Sequence, residues 1–292
     1  MRLLITGASG QLGGYLLREL AEADARVIAW SGSRTGQLLG VPLRPVNLTQ
    51  PEVVSKAFRE ARPDVVIHGA AVTRIADAFR DPAHCRLVNV EGTATLADEA
   101  EKAGALFVLL STDLVFDGSK GSYRESDPPA PLSVYARTKV ESEAAAAACS
   151  QRAVARASLL YGPSIVGRPS FFDEQVAAFR TNRPLTLFED EWRTPLSLAA
   201  AARSLLAIAR SDFRGLIHLG GPERLSRLEM GMRLADHLGT GHDVITRATR
   251  EHTPSPEPRP RDTSLDSSLW RKHFPEQAWP DLPESLREMS LF

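Results

Sequence analysis

Two cysteines, Cys85 and Cys149, are all that this 292-residue chain contains, and they form no Cys-x-x-Cys pair. A disulfide scaffold is excluded, and structural thiols in a reducing, cytosolic compartment are the expectation. The seven histidines are scattered without His-x-His or His-x-x-x-His spacing. No protein-built metal site is indicated by such a pattern. His68 and His218 fall in apolar, strand-like runs and read as core residues with satisfied hydrogen bonds. Neither sign of charge is in excess: 35 Lys and Arg stand against 36 Asp and Glu, for a formal net charge of −1. A nucleic-acid surface needs a concentrated basic excess, so no nucleic-acid partner is expected. Long apolar runs are missing as well, and nothing approaches the ~20 residues of a membrane span. The apolar residues in Met1-Arg-Leu-Leu-Ile-Thr-Gly7 are too few for the core of a signal peptide and read as a first strand.

What the chain does have is alternation. Strands are expected at 2–5, 27–30, 43–46, 65–68, 106–110 and 153–157, with helices at 12–22, 52–62, 84–103 and 134–149 between them. Strand–helix alternation of this kind builds a parallel sheet with helices on both faces. Val65-Val-Ile67 and Phe107-Val-Leu-Leu110 are apolar without alternation, as strands buried on both sides require. After about residue 158 prolines and loops increase, and helices are expected at 170–180, 198–211 and 227–238. Thr253-Pro-Ser-Pro-Glu-Pro-Arg-Pro-Arg261 reads as a connector. The expected fold class is therefore α/β. A Rossmann-type doubly wound parallel sheet spans residues 1–158, a stretch at about 185–220 returns to it, and a smaller substrate lobe takes most of 159–292.

Gly7, Gly10 and Gly13 lie in Thr6-Gly-Ala-Ser-Gly-Gln-Leu-Gly-Gly14, at the first strand–helix junction. Glycine lets the backbone bend sharply there and approach a pyrophosphate without a Cβ in the way. The first helical amides then face that anion. With Ser9, Gln11 and Leu12 these glycines form the expected dinucleotide cradle. An NAD-selecting site carries a carboxylate after the second strand for the ribose 2′-hydroxyl. Here the run is Trp30-Ser-Gly-Ser-Arg34, with neither Asp nor Glu. Ser31, Ser33 and Arg34 suit a 2′-phosphate instead. NADP(H) is the expected coenzyme, with NADH the open alternative and Arg34 as a solvated loop cation the bland one.

Ser111 and Thr112 end the fifth strand, where an open α/β sheet presents its ligand groups. Tyr135 and Lys139 are four residues apart on a helix that opens after Asp127-Pro-Pro-Ala-Pro131, so they share one face. A free phenol titrates near ~10. A neighbouring ammonium stabilises its anion by charge attraction, which makes the pair a tuned proton donor. In this order, the glycine-rich turn, Thr112 and Tyr135/Lys139 resemble the short-chain dehydrogenase/reductase superfamily, in its extended branch. The resemblance implies that Thr112 orients a carbonyl, Tyr135 transfers a proton, and Lys139 binds the nicotinamide ribose and lowers the Tyr135 pKa.

More of the chain is similar to one subgroup, the dTDP-4-dehydrorhamnose reductase-like proteins. The similar segments are Gly7-Ala-Ser-Gly-Gln-Leu-Gly13, His68-Gly-Ala-Ala-Val-Thr73, Val88-Asn-Val-Glu-Gly-Thr93 and Ser111-Thr-Asp-Leu-Val-Phe-Asp-Gly118. They continue with Pro131-Leu-Ser-Val-Tyr-Ala-Arg-Thr-Lys139, Arg156-Ala-Ser-Leu-Leu-Tyr-Gly162, Trp192-Arg-Thr-Pro195, His218-Leu-Gly-Gly-Pro-Glu223 and Arg259-Pro-Arg-Asp-Thr-Ser-Leu-Asp266. This resemblance places Asn47 and Leu48 by the adenine and lines the coenzyme bed with Ala70 and Ala71. It implies NADPH-dependent reduction of a keto group on a small carbonyl substrate, a nucleotide-activated 4-keto-6-deoxy sugar. Thr73, Ser111, Arg193 and Arg259 are the candidate substrate contacts. Arg193, Arg259 and Arg261 suit a diphosphate, because guanidinium groups bind phosphate bidentately; interdomain ion pairs are the equal alternative. Ile75-Ala-Asp-Ala-Phe79 and Leu160 depart from the subgroup's usual substrate-side residues.

Three rivals share the fold. A dehydratase resembling this family places an Asp-Glu pair after the Thr, whereas the pair here is Asp113-Leu114, and leucine cannot abstract a proton. An epimerase retains its coenzyme and usually uses NAD. A regulatory subunit resembling that of methionine adenosyltransferase binds NADP and acts through protein contacts, without turnover. Tyr161 and Trp192 read as packing residues rather than ring-stacking contacts, and a homodimer is the default assembly of such enzymes. If Ser31, Ser33 and Arg34 select the 2′-phosphate, the ratio of NADPH to NADH affinity, measured by fluorescence titration, should exceed one; a ratio at or below one removes that reading.

Overall fold

The computed structural model describes residues 1–21 and 26–289. Its centre is an eight-stranded sheet. In spatial order the strands are β12 (Gly215–Leu219), β7 (Arg152–Ala157), β6 (Leu106–Thr112), β5 (Val65–His68), β1 (Arg2–Thr6), β2 (Arg26–Ser31), β4 (Val41–Pro45) and β3 (Gln37–Leu38). All neighbours pair in parallel except β3 and β4, a short antiparallel hairpin at one edge. Leu3, Leu4, Ile5, Val66 and Ile67 are fully buried, which is why β1 and β5 read as unbroken apolar runs. From β1 the chain lays β2 and β4 on one side, then crosses to place β5 on the other. The strand order therefore reverses between β1 and β5.

Helices cover both faces. On one, α1 (Gln11–Glu19) packs against α8 (Leu198–Ala209), and Tyr15, Leu16, Leu17, Leu205 and Ile208 join the sheet's larger core. On the other, α2 (Pro51–Ala61) and α5 (Gly92–Ala103) bury Val54, Phe58, Leu96, Ala97 and Ala100. The residue expected to end the first helix, Glu22, lies outside the described residues. The helix expected at 84–103 is built differently. It consists of α4 (Pro82–Arg86), a π-helical turn at Leu87–Glu91, and α5. A short α3 (Ile75–Arg80) precedes it.

The helix carrying the proton-donor candidate, α6 (Val134–Ala145), has no apolar stripe. Its buried residues are Tyr135, Ala136, Thr138, Lys139 and Ser142. A mostly polar buried face needs hydrogen-bonding partners wherever it meets the protein, and the π-helical turn supplies one. Asn89 is fully buried, accepts from the Val72 amide (2.7 Å) and donates to the Val72 carbonyl (3.2 Å) and to the Thr138 hydroxyl (3.0 Å). One amide side chain thus ties the loop after β5 to α6.

The remaining chain forms the smaller lobe. β8 (Leu160–Tyr161) and β11 (Leu196–Ser197) pair in parallel, and β10 (Trp192–Arg193) and β13 (Leu225–Ser226) pair antiparallel. Beyond them α7 (Phe171–Arg180), α9 (Arg227–His237) and α11 (Leu282–Glu288) enclose Phe172, Phe179, Met230, Leu234 and Leu286. The parallel pair β9 (Leu185–Phe188) and β14 (Ile245–Ala248) flanks this core, and α10 (Ser268–His273) returns Trp270 to the main sheet at β12. Asn89→Ala deprives both polar groups of Val72 of their side-chain partner. It should lower stability by roughly 2–3 kcal/mol, read from urea unfolding of the two proteins.

Candidate active site

A large cleft runs along the carboxyl ends of the parallel strands and includes the crevice between β1 and β5. Ligands of open α/β sheets bind at such a reversal point. Its floor begins with the glycine-rich turn. Gly7 has φ 72°, and a Cβ there would lie 2.8 Å from the Ala70 amide nitrogen. A Cβ on Gly13 would lie 2.3 Å from the Gly7 carbonyl oxygen. Gly10 caps α1 without a side-chain hydrogen bond, and the first turn holds no acidic residue. The leading amides and the positive end of the helix dipole are therefore left for an anion. That arrangement fits the pyrophosphate of a dinucleotide.

A second segment, residues 163–169, lies across this turn. Gln11 Nε2 donates to the Arg168 carbonyl (2.7 Å), Arg168 to the Ser9 carbonyl (3.0 Å) and Tyr15 to the Pro163 carbonyl (2.8 Å). Arg34 donates to the Val166 carbonyl (3.0 Å) and does not line the cleft. The cation expected to meet a 2′-phosphate is thus engaged by main chain. Ser31, Gly32 and Ser33 form the wall at that point, and Asn47, Leu48, Ala70 and Ala71 continue it. Leu12 and Ser9 also border the cleft.

Thr112 and Tyr135 face the same cleft from β6 and α6. Tyr135 is almost fully buried. Burial pushes its phenol above the ordinary range, against a smaller downward pull from the Thr112 hydroxyl beside it; Asp113 and Cys85 add to the rise. Lys139 is not among these influences. Its Nζ donates to the Leu110 carbonyl at 2.8 Å, and burial pulls its pKa down to about 8 against the opposing charge of Glu143. Lys139 is thus held by a strand carbonyl, and burial dominates the Tyr135 phenol. Tyr135 holds its proton at neutral pH.

Ser111, a candidate substrate contact, also borders the cleft. Its hydroxyl donates to the Glu143 carboxylate, which Arg156 grips through two bonds of 3.0 and 2.7 Å. Asp113 is buried and receives Ser158 (3.0 Å), Thr263 (3.0 Å) and Thr112 (3.2 Å), with Arg193 Nε at 3.6 Å. Arg259 donates to Glu191 at 3.0 Å. Arg193 and Arg259 line the cleft, as does the exposed Thr73; Arg261 does not. Tyr161 lies in the lobe core, and Trp192 sits under the Arg224 guanidinium at 4.0 Å, both packing roles.

Sequence reasoning missed Glu143, Gln175, Glu191 and Arg227. Glu143 carried a signal, since Tyr135, Lys139 and Glu143 recur every four residues along α6. The other three line the cleft from the lobe and bear no local mark.

The residues 1–290 match the family described as RmlD substrate binding domain. The chain belongs to this family. Among its relatives is a dTDP-4-dehydrorhamnose reductase of Sinorhizobium fredii, 30% identical, with 99% of this chain and 96% of that protein covered. Another is methionine adenosyltransferase 2 subunit beta of Xenopus tropicalis, 30% identical, covering 93% of this chain and 82% of that one. The crystal structure of dTDP-4-dehydrorhamnose reductase from Bacillus anthracis in complex with NADP superposes with a TM-score of 0.86 at 22% identity, over 99% of this chain and 98% of that one. That likeness establishes the Rossmann-like α/β fold.

In this member of the RmlD family a neutral histidine braces the cleft floor at Thr6 and Ala70. His68 Nδ1 meets the Thr6 hydroxyl at 2.6 Å and Nε2 meets Thr93 at 2.9 Å, while the Ala70 amide donates to the same Thr6 hydroxyl. Burial, with the Lys139 charge adding to it, pulls its pKa down to about 3. His218, its Nδ1 on the Tyr123 carbonyl, is pulled down to about 4. A histidine with a depressed folded pKa takes up its proton first in the unfolded chain. Stability is thus full above about pH 6.5 and falls as pH drops toward 3. His68 alone should remove about 2 kcal/mol between pH 6.5 and 5. Urea unfolding at both pH values should show a smaller loss in His68→Gln than in the native sequence.

Proposed function

We propose that this RmlD-family chain is an NADPH-dependent reductase of a keto group on a nucleotide-activated 4-keto-6-deoxy sugar. The observation that carries the reading is the placement of Thr112 and Tyr135 in one cleft with the glycine turn. Two hydroxyls stand at the end of β6 and the start of α6, and an anion cradle opens beside them at the end of β1.

NADPH, when bound, supplies the hydride for the carbonyl carbon. The cradle of Gly7, Gly10 and Gly13 holds its pyrophosphate, with Ser31 and Ser33 at the adenosine ribose. Thr112, whose hydroxyl donates to Asp113 at 3.2 Å, turns that proton to the carbonyl oxygen, where it meets the developing negative charge. Tyr135 gives its proton to the same oxygen. Its buried, proton-retaining phenol suits the reductive direction, in which the acid must enter the reaction protonated. Lys139, held by the Leu110 carbonyl one helical turn from Tyr135, would bind the coenzyme's ribose and keep a positive charge near the developing phenolate. Where a dehydratase carries its acid–base pair, Leu114 follows Asp113, and Asp113 itself is taken up by three hydroxyls and Arg193.

A second reading, suggested by the methionine adenosyltransferase relative, is an NADP-binding regulatory subunit. The assembled Thr112, Tyr135 and Lys139 favour the enzyme, since protein contacts do not require them. Tyr135→Phe should lower turnover by about 10²–10⁴-fold in an NADPH-oxidation assay with nucleotide-linked keto sugars, with NADPH affinity unchanged. An unaltered rate in Tyr135→Phe would overturn the mechanism.

A further inference from the structure

Arg193, Arg227 and Arg259 all border the cleft on the lobe side. Two of them are already matched by carboxylates. Arg193 Nε lies 3.6 Å from Asp113 and its Nη1 donates to the Trp192 carbonyl; Arg259 donates to Glu191. Arg227 is different. It is the first residue of α9, after the Ser226 cap, and its guanidinium lies 4.5 Å above the Phe171 ring. Its Nη1 is shielded from solvent and has no hydrogen-bond partner among the described residues. Of the charges around it, the Arg193 cation is felt more strongly than Glu191, and burial pulls the Arg227 pKa down to about 10, still protonated. One turn along α7 from Phe171, Gln175 is buried at the same cleft, and its Oε1 also lacks a partner among the described residues.

A guanidinium nitrogen shielded from water without an acceptor is costly, and so is an unmet amide oxygen. Both costs disappear if a ligand brings an anion to one and a donor to the other. Stacking on Phe171 fixes the guanidinium plane, so its N–H groups are already aimed when the anion arrives. We propose that Arg227, rather than Arg193 or Arg259, supplies the uncompensated positive charge that holds the substrate's diphosphate, with Gln175 accepting from a donor group of the same ligand. This rests on the nucleotide-sugar reading above.

The test is calorimetric binding of dTDP and UDP, against thymidine and uridine, to protein saturated with NADP⁺. Arg227→Gln should weaken the diphosphates at least tenfold and leave the nucleosides unchanged, and Arg227→Lys should recover part of the loss. Equal weakening of diphosphates and nucleosides would assign Arg227 to packing and overturn the proposal. Undiminished diphosphate binding in Arg227→Gln would overturn it alone. If the native sequence binds no nucleoside diphosphate, the substrate reading fails and this assignment fails with it.

Discussion

A buried ammonium governs the architecture around the reaction centre. Lys139 is almost fully removed from water, and its charge is met by the Leu110 carbonyl and, more remotely, by Glu143. Taking such a charge out of water costs several kcal/mol unless partners are in place. The rest of α6 is arranged to keep them there. Ser142 donates to the Asn89 and Thr138 carbonyls, Thr138 to the Tyr135 carbonyl, and Asn89 reaches from the π-helical turn. Behind them Arg156 balances Glu143, so that no carboxylate is left uncompensated next to the lysine. A polar helix face becomes tolerable only because three other elements were shaped to receive it.

The two walls of the cleft use charge differently. On the coenzyme side it comes from backbone: the uncapped start of α1, clasped by residues 163–169 through main-chain carbonyls. On the lobe side it comes from guanidinium groups, most of them neutralised locally. Asp113 joins the walls, since it collects hydroxyls from the ends of β6 and β7 and from the later segment at Thr263, and faces Arg193 of the lobe. Burial raises its pKa, and the hydrogen bonds and Arg193 oppose that rise. The lobe is thereby held against β6 by a polar contact, alongside its apolar packing.

Much of this was legible in order along the chain. The buried strands announce themselves as unbroken apolar runs, because both of their faces are covered and nothing polar fits. Gly7 and Gly13 announce the turn, because any Cβ there would collide with backbone. Tyr135 and Lys139 share a face by helical spacing alone, and Glu143 extends the same spacing. The edge hairpin β3–β4 and the π-helical turn were not legible, since neither rests on a strong local pattern.

What the sequence by itself determined is the element order, the glycine turn and the set of groups able to move a proton, all local properties of spacing and side-chain type. Tertiary structure decided what each charged or polar group does. Arg34 meets the Val166 carbonyl, Ser111 meets Glu143, Lys139 meets Leu110, and Arg227 Nη1 has no partner among the described residues. Those outcomes depend on which acceptors arrive from distant segments. Electrostatic partnership is set by proximity in space and by exclusion of water, and neither is written in the spacing of residues along a chain.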